Sequence, residues 1–571
     1  MHDLVIRNGL LVDGTGAAAR HADVAITDGT ITHVGAVDGP ARRTIDADGR
    51  LVTPGFVDIH THYDGQATWD PQLSPSCWHG VTTLVMGNCG VGFAPAAPDR
   101  HDWLIGLMEG VEDIPGAALS EGLVWEWETF PEFLDALDRR SFVLDVGTQV
   151  PHGAVRAYVM GERGANNEPA TPADIEAMAA IVREAVVAGA LGFSTSRTLA
   201  HRAISGEPVP GTFAAEDELF GIGRALGDLG TGVFELAPAG ALGEDLDAPD
   251  LEVAWMRRLA AAIRRPVCFA LNQNNADPDA WRRLLDLATD LAGEGAPVRA
   301  QVHARTVSLL LGLETFHPFH WTPSWGEIGL LPHSELVAAM RTPVWRERLI
   351  SEMASVDDPV FTGYMDPAQA FCLGDPPDYE PGPDESLVAI GARRGVSPWE
   401  VAYDQLLSDG GTGLINRPVL NYAAGDLGPT YEMLTNPTTV FGLGDGGAHA
   451  NQTCDASSTT YVLSHWVRDR TRGPRIPLEQ AVAKLTSATA DTYGLGDRGR
   501  VVPGLRGDLN VIDLDGLQLH RPTVAHDLPA GGKRLIQRAD GYGATVVAGA
   551  VTFVDGEHTG ELPGRLVRGA R

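Results

Sequence analysis

Two histidines one residue apart close the segment Gly55-Phe56-Val57-Asp58-Ile59-His60-Thr61-His62. The apolar run 56–59 reads as a buried strand, and along a strand residues i and i+2 lie on the same face. Both imidazoles therefore leave the strand's C-terminal end on one side, near enough to share a metal ion. A lone histidine is more often a polar group satisfied within a core. A pair at this spacing, following Pro54-Gly55, reads as metal ligation, and it makes His60 and His62 the first candidate ligands.

The elements that must position this pair are legible on either side of it. Residues 1 to 52 read as short strands at 4–6, 10–12, 24–26 and 30–34, punctuated by Asn8-Gly9, Asp13-Gly14 and Asp28-Gly29. Such dipeptides supply the positive φ angles of hairpin turns. The other end repeats the pattern at 509–512, 543–547 and 551–554, with Asp555-Gly556 as a turn. Two β segments at opposite chain ends can build one small β-sandwich, because domain termini often lie close together. Between them the pattern turns helical. Thr171 is a helix N-cap, Pro172 a first helical residue and Asp174 an acid in the first turn. Ile175, Met178, Ala179, Val182, Ala185 and Val186 follow at helical spacing, Gly189 ends the run, and a strand begins at 191. Helices near 215–228, 251–263 and 278–291 lead in the same way to strands near 232–236, 266–271 and 298–302. Serial helix–strand units predict an α/β fold with a parallel sheet, here a TIM-type (β/α)8 barrel; an open doubly wound sheet shows the same alternation. The chain then divides into 1–52 and 501–571, the two parts of the sandwich, and 53–500, the barrel. Residues 314–430 break the rhythm with segments such as His320-Trp321-Thr322-Pro323-Ser324-Trp325. They read as a lid or substrate-binding insertion, or as helices without a clear period.

The stretch P-G-F-V-D-I-H-T-H at 54–62 resembles the first-strand motif of the amidohydrolase superfamily. V-P-G-L-R-G-D-L-N-V-I-D at 502–513 resembles that superfamily's return to its split sandwich. Within the superfamily the chain is similar to the N-acyl-D-amino-acid deacylase (D-aminoacylase) group over nearly its whole length, with the specific motifs in a few segments. The resemblance implies that Cys89, in Gly87-Asn88-Cys89-Gly90, is a metal ligand. A bound dication deprotonates a thiol, and thiolate is a strong ligand for zinc. The other reading is a small buried cysteine in a tight turn. The resemblance likewise implies that Asp445, in Gly444-Asp445-Gly446-Gly447-Ala448-His449, touches the metal and serves as general base. An aspartate there can also be a plain turn former. His449 lines the pocket or is a neutral loop residue. Two departures stand against the family pattern, which places a histidine on the fifth strand and another on the sixth. Here the fifth-strand segment carries Glu235, as a ligand or as the partner of a cation. The sixth reads Val267-Cys268-Phe269-Ala270-Leu271-Asn272-Gln273-Asn274, with no imidazole; Cys268 reads as core packing, and Asn272 and Gln273 as hydrogen-bonding groups. His303 is a candidate for substrate binding or oxyanion stabilisation, and Arg197 and Arg305 are candidate clamps for a substrate carboxylate.

Composition narrows the partners. Acidic residues outnumber basic ones 75 to 43, for a formal charge of −32, which repels phosphate backbones and anionic membranes alike. Five scattered cysteines do not make a disulfide framework. The start Met1-His2-Asp3-Leu4 lacks a signal-peptide pattern and no apolar run reaches membrane length, so the expected setting is the cytoplasm, with no membrane partner. The resulting expectation is one Zn²⁺ near His60, His62, Cys89 and Asp445, acting on a small-molecule amide, with assembly as a homo-oligomer left open. Resemblance points to deacylation of an N-acyl-D-amino acid. A ring-opening amidohydrolase acting on a cyclic amide or ureide would use the same residues. A non-catalytic barrel scaffold is the reading from another class.

Overall fold

A computed structural model describes residues 1–358, 361 and 364–569. Residues 359, 360, 362 and 363 of the expected insertion and 570–571 of the C-terminal part lie outside the described residues. The parallel strands that carry the site are β1 (Phe56–Asp58), β2 (Val81–Met86), β3 (Asp145–Thr148, continued by Val150–Pro151), β4 (Gly192–Ser196), β5 (Val233–Ala237), β6 (Val267–Leu271), β7 (Val298–Val302) and β8 (Thr439–Phe441). β1, β2 and β3 pair in that order. The continuation of β3 then pairs with β4, and the order runs on through β5, β6, β7 and β8. Past the strand ends, Thr61 beyond β1 forms a parallel bridge with Gly446 beyond β8. Spatial order thus follows chain order. β2 and β4 to β6 are buried along their whole length, as parallel strands covered on both faces must be.

Helices return the chain between strands. α1 (His101–Glu112) lies between β2 and β3, and α2 (Pro172–Ala188) between β3 and β4. α3 (Glu216–Leu229), α4 (Ala248–Ile263) and α5 (Ala280–Gly293) follow, one before each of β5, β6 and β7. The start of α2 is the expected one. Thr171 accepts from the Asp174 N–H and Asp174 accepts in return from Thr171, a reciprocal cap.

The chain ends meet in one nine-stranded sheet, where Leu51–Pro54 pairs antiparallel with Leu509–Ile512. One turn expectation fails here. Asn8-Gly9 is no hairpin; His2–Leu11 is a single strand that bulges at these residues. A side chain at Gly9 would collide with Val52 at 2.4 Å, so the glycine marks a close approach between strands. Asp28-Gly29 and Asp555-Gly556 do form hairpin turns, with both residues of each at positive φ.

The break in rhythm near 314 proves to be folded chain with a hydrophobic core of its own. An antiparallel sheet of Val307–Leu311, Leu414–Leu420 and Phe371–Leu373 packs with helices that include His333–Met340, Pro343–Met353, Leu387–Arg394 and Pro398–Leu406. The stretch therefore does contain helices, as one of the two readings expected. Glu380 fastens this unit to the rest. Its carboxylate accepts from Arg470 Nε and Nη2, both at 3.0 Å, and lies 2.8 Å from His465 Nε2. Burial alone would raise the Glu380 pKa, but the His465 and Arg470 hydrogen bonds outweigh it and hold the carboxyl at about 2, against an ordinary 4.5. A depressed acid stabilises the fold fully above its unfolded value and loses that contribution as pH falls through its folded value. Glu380→Gln is therefore expected to cost about 3 kcal/mol at pH 7 by leaving Arg470 buried without its counter-charge. It should also flatten the stability profile between pH 4.5 and 2. Denaturant titrations across that range check both, and an unchanged profile would contradict the assignment.

Candidate metal centre

β1 ends at Asp58 and delivers His60 and His62, with one intervening residue, to the C-terminal side of the parallel array. Their main chain is stitched to the last strand's loop: the Asp445 N–H donates to His60 O at 3.1 Å, and the His62 N–H to Gly446 O at 2.8 Å. Cys89 follows β2 in a turn whose residues Gly87, Cys89 and Gly90 all have positive φ. A side chain at Gly87 would meet Gln149 O at 2.4 Å, so only glycine lets β2 leave the sheet here. Leu443 and Asp445 are also in the left-handed region. Non-glycine residues there are strained, and strain of this kind gathers where a side chain must be aimed.

The aim is convergent. His60 Nε2 lies 3.3 Å from Cys89 Sγ and 3.4 Å from Asp445 Oδ1, and His62 Nε2 lies 3.7 Å from the same oxygen. One ligand atom each from His60, His62 and Cys89 falls within 4.8 Å of the others. The outward nitrogens are held from behind. His60 Nδ1 donates to Gln301 Oε1 on β7 at 2.7 Å, and His62 Nδ1 lies 3.2 Å from Glu112 Oε1 at the end of α1. With Nδ1 carrying the proton, His60 Nε2 presents a lone pair to the shared space, and His62 Nε2 does so once its ring has shed a proton.

Electrostatics sets the two rings apart. Burial pushes His60 down to about 4, so it is neutral. Burial opposes charge on His62 too, but Glu112 and Asp445 overcome it and push the imidazole up to about 9. Asp445 is held well below the usual carboxylate range, since the His62 hydrogen bond and the His60 and His62 charges outweigh burial. Burial raises the Cys89 thiol. Among the described residues, Asp445 Oδ1, Glu112 Oε1, His62 Nδ1 and Glu235 Oε1 are buried without a hydrogen-bond partner. Two imidazoles and a thiol within reach of one another, with the Asp445 oxygen close to both imidazoles, suit a divalent cation of zinc type.

The other sequence candidates fare differently. Glu235 comes nearest an imidazole at His60 Nδ1, 3.9 Å away, on the nitrogen that Gln301 already holds. Its second oxygen accepts the Cys89 N–H at 3.1 Å. The structure therefore leaves Glu235 out of the convergent group and makes it a support of the Cys89 turn. His303 is fully buried with both ring nitrogens engaged, Nδ1 to Arg305 O and Nε2 to Ser458 Oγ, so it does not face a substrate. Arg305 is committed to Asp455 at 2.9 Å and lies over the Tyr379 ring, and Arg197 is committed to Glu252 at 2.9 Å. Neither is a free clamp, because each guanidinium answers a buried carboxylate. His449 lies at the mouth, 32% exposed, with Nε2 3.9 Å from Glu112 Oε2. A cavity opens beside Asp445, walled by Trp69, Ile114, Ala450, Leu528 and Leu535. Arg534 also lines it, but is paired with Asp527. Sequence reasoning passed over Glu112 and Gln301. The signal for Gln301 was a long polar residue inside an apolar strand; Glu112, ending a helix far from any motif, gave none.

The family model described as "Amidohydrolase family" matches residues 43–553. A D-aminoacylase of Alcaligenes xylosoxydans xylosoxydans is 26% identical, covering 99% of this chain and 97% of its own. An N-acyl-D-glutamate deacylase of the same organism is 28% identical over 90% of this chain and 88% of its own. A crystal structure of D-aminoacylase superposes with a TM-score of 0.66 at 25% identity, covering the whole of both chains.

If the convergent group binds as its geometry suggests, Co²⁺ added to the metal-free protein will give a near-ultraviolet thiolate-to-cobalt charge-transfer band. Cys89→Ser is expected to abolish that band and to weaken Zn²⁺ binding by more than the roughly 10–100-fold that loss of an outer partner costs. An unaltered band in the variant would remove Cys89 from the ligand set.

Proposed function

The chain belongs to the amidohydrolase family, and from that membership we propose that it hydrolyses the amide bond of an N-acyl-D-amino acid or a related small amide. The observation that carries this reading is the convergence of His60, His62 and Cys89, with Asp445 Oδ1 3.4 Å from His60 Nε2 and 3.7 Å from His62 Nε2, at the ends of β1, β2 and β8. Those four side chains would hold a single Zn²⁺. A zinc ion there supplies Lewis acidity toward the amide carbonyl and toward the attacking water.

The chain's own residues do the rest. Asp445 is the member of the group open to the cavity, with its side chain 20% exposed. Its carboxylate, kept ionised by the two imidazoles, takes a proton from the attacking water. Water oxygen bonds to the carbonyl carbon, the C–N bond breaks, and Asp445 returns the proton to the departing nitrogen. The products are a carboxylate and an amine. Glu235 supports the Cys89 turn from below, and His449 stands at the entrance as a substrate-facing group.

The ordering of β1 to β8 with the Thr61–Gly446 bridge supports a closed TIM-type (β/α)8 barrel spanning 53–500, and the joined termini support a small β-sandwich from 1–52 and 501–571. The folded unit within 314–430 would then act as the lid over the barrel mouth. Among the described residues no helix is long and apolar enough to cross a membrane.

One observation favours a second substrate class. Arg197, Arg305 and Arg534 are each already paired with a carboxylate, which suits a substrate without a free carboxylate, such as a cyclic amide or ureide. A panel decides between the two: N-acetyl-D- and L-amino acids with neutral and acidic side chains, set against hydantoin and dihydrouracil. Turnover of the D-series is expected to require Zn²⁺. Asp445→Asn is expected to lower kcat by about 10²–10⁴-fold with little change in KM. No turnover of any member by the zinc-loaded protein would overturn the assignment.

A further inference from the structure

We infer that Glu112 is the positioning residue of the metal centre, fixing His62 so that its Nε2 faces the shared space; this rests on the metal-centre reading above. Glu112 occupies the last residue of α1, where the unsatisfied carbonyls of the helix terminus disfavour a negative charge. Its side chain is 2% exposed. A buried carboxylate in such a place is costly unless something compensates it. The compensating groups are imidazoles: His62 Nδ1 at 3.2 Å from Oε1 and His449 Nε2 at 3.9 Å from Oε2.

A purely structural role is already filled by other atoms. The end of α1 is tethered to the loop after β8 by the main chain, through the His449 N–H donating to Glu112 O. Asp113 adds a second tether, its Oδ2 accepting the Asn451 N–H at 2.9 Å. Neither tether uses the Glu112 carboxylate, and among the described residues Oε1 has no hydrogen-bond partner; its nearest charged approach is His62 Nδ1 at 3.2 Å. The contrast with His60 is informative. There a neutral amide, Gln301, holds Nδ1, while His62 has a carboxylate behind it. A carboxylate raises the basicity of the ring it orients more than an amide does, so His62 becomes the stronger donor of the pair. Acid and imidazole alternate along the chain of contacts Asp445, His62, Glu112, His449.

The test compares parent, Glu112→Ala and Glu112→Gln in Zn²⁺ affinity, by competition with a chromophoric chelator, in the Co²⁺ absorption spectrum, and in melting of the metal-free proteins. Glu112→Ala is expected to bind Zn²⁺ about 10–100-fold more weakly, with an altered cobalt spectrum. Glu112→Gln, which keeps shape and an acceptor oxygen, should recover part of that loss. Metal-free melting should fall less in Glu112→Gln than in Glu112→Ala. Zn²⁺ affinity within about threefold of the parent in both variants would overturn the inference, as would parallel losses of affinity and metal-free stability that glutamine does not rescue. Should Glu112→Ala fail to fold, Glu112→Gln decides: affinity equal to the parent refutes the role. Parent protein that binds Zn²⁺ but hydrolyses nothing would defeat the proposed reaction and leave this inference standing. Hydrolysis with undiminished Zn²⁺ binding in the variants would do the reverse.

Discussion

A pair of backbone hydrogen bonds joins the loop after the first parallel strand to the loop after the last, from Asp445 to His60 and from His62 to Gly446. The convergence of side chains depends on this junction. Because strand side chains alternate, a slip of one residue would turn both imidazoles away from the aspartate. The register is held by β1 against β2 on one side and by the Thr61–Gly446 bridge on the other. Leu443, Asp445 and Cys89 sit in the left-handed backbone region around the same junction. Each such residue costs of order 1–3 kcal/mol and persists only where its surroundings over-determine it. The buried strands beneath, with Asn88 donating to Thr61 O and Val85 O, supply that determination.

The electrostatics around the junction sorts five carboxylates by environment. Asp58 and Asp64 are pushed up to about 7 by burial, and Glu235 to about 8. Glu112 is raised as well, again chiefly by burial. Asp445 alone of the five is driven the other way, because two imidazoles face it. Groups of one chemical type thus acquire different protonation by neighbourhood, the pattern by which active sites divide acid and base work. The strongly negative whole-chain charge has no part in this sorting; it bears on long-range encounter, not on pairs at 3–4 Å.

How much of this the residues announced depends on whether the signal was local. The His60/His62 pair was legible because strand alternation is a two-residue property. The α2 cap was legible because Thr171, Pro172 and Asp174 interact across one turn. Asn8-Gly9 misled because the dipeptide suits a bulge as well as a hairpin, and the deciding contact, Val52 against Gly9, comes from a strand some forty residues later. The insertion hid its helices because they pack into a separate core and carry short, irregular apolar faces. Arg197 and Arg305 lie just past β4 and β7, but proximity in sequence to a strand end says nothing of a carboxylate waiting across the fold. Asp455 lies 150 residues from Arg305, and Glu252 sits on α4.

Glu235 shows how a departure from a family pattern can be absorbed. The Glu235 carboxylate on β5 approaches His60 on its Nδ1 side, at 3.9 Å, and accepts the Cys89 N–H. The strained turn that presents the thiol is thereby tied to the strand that lacks an imidazole. Ser194 on β4 adds a second tie, accepting the Gly90 N–H and donating to Gly87 O. A turn anchor thus stands on β5, and the thiol's turn is the more firmly fixed for it. It also explains why so many acidic oxygens surround so small a group. Their work is to hold the ligands from outside, and outer partners of this kind set ring orientation and basicity as surely as the ligands set coordination.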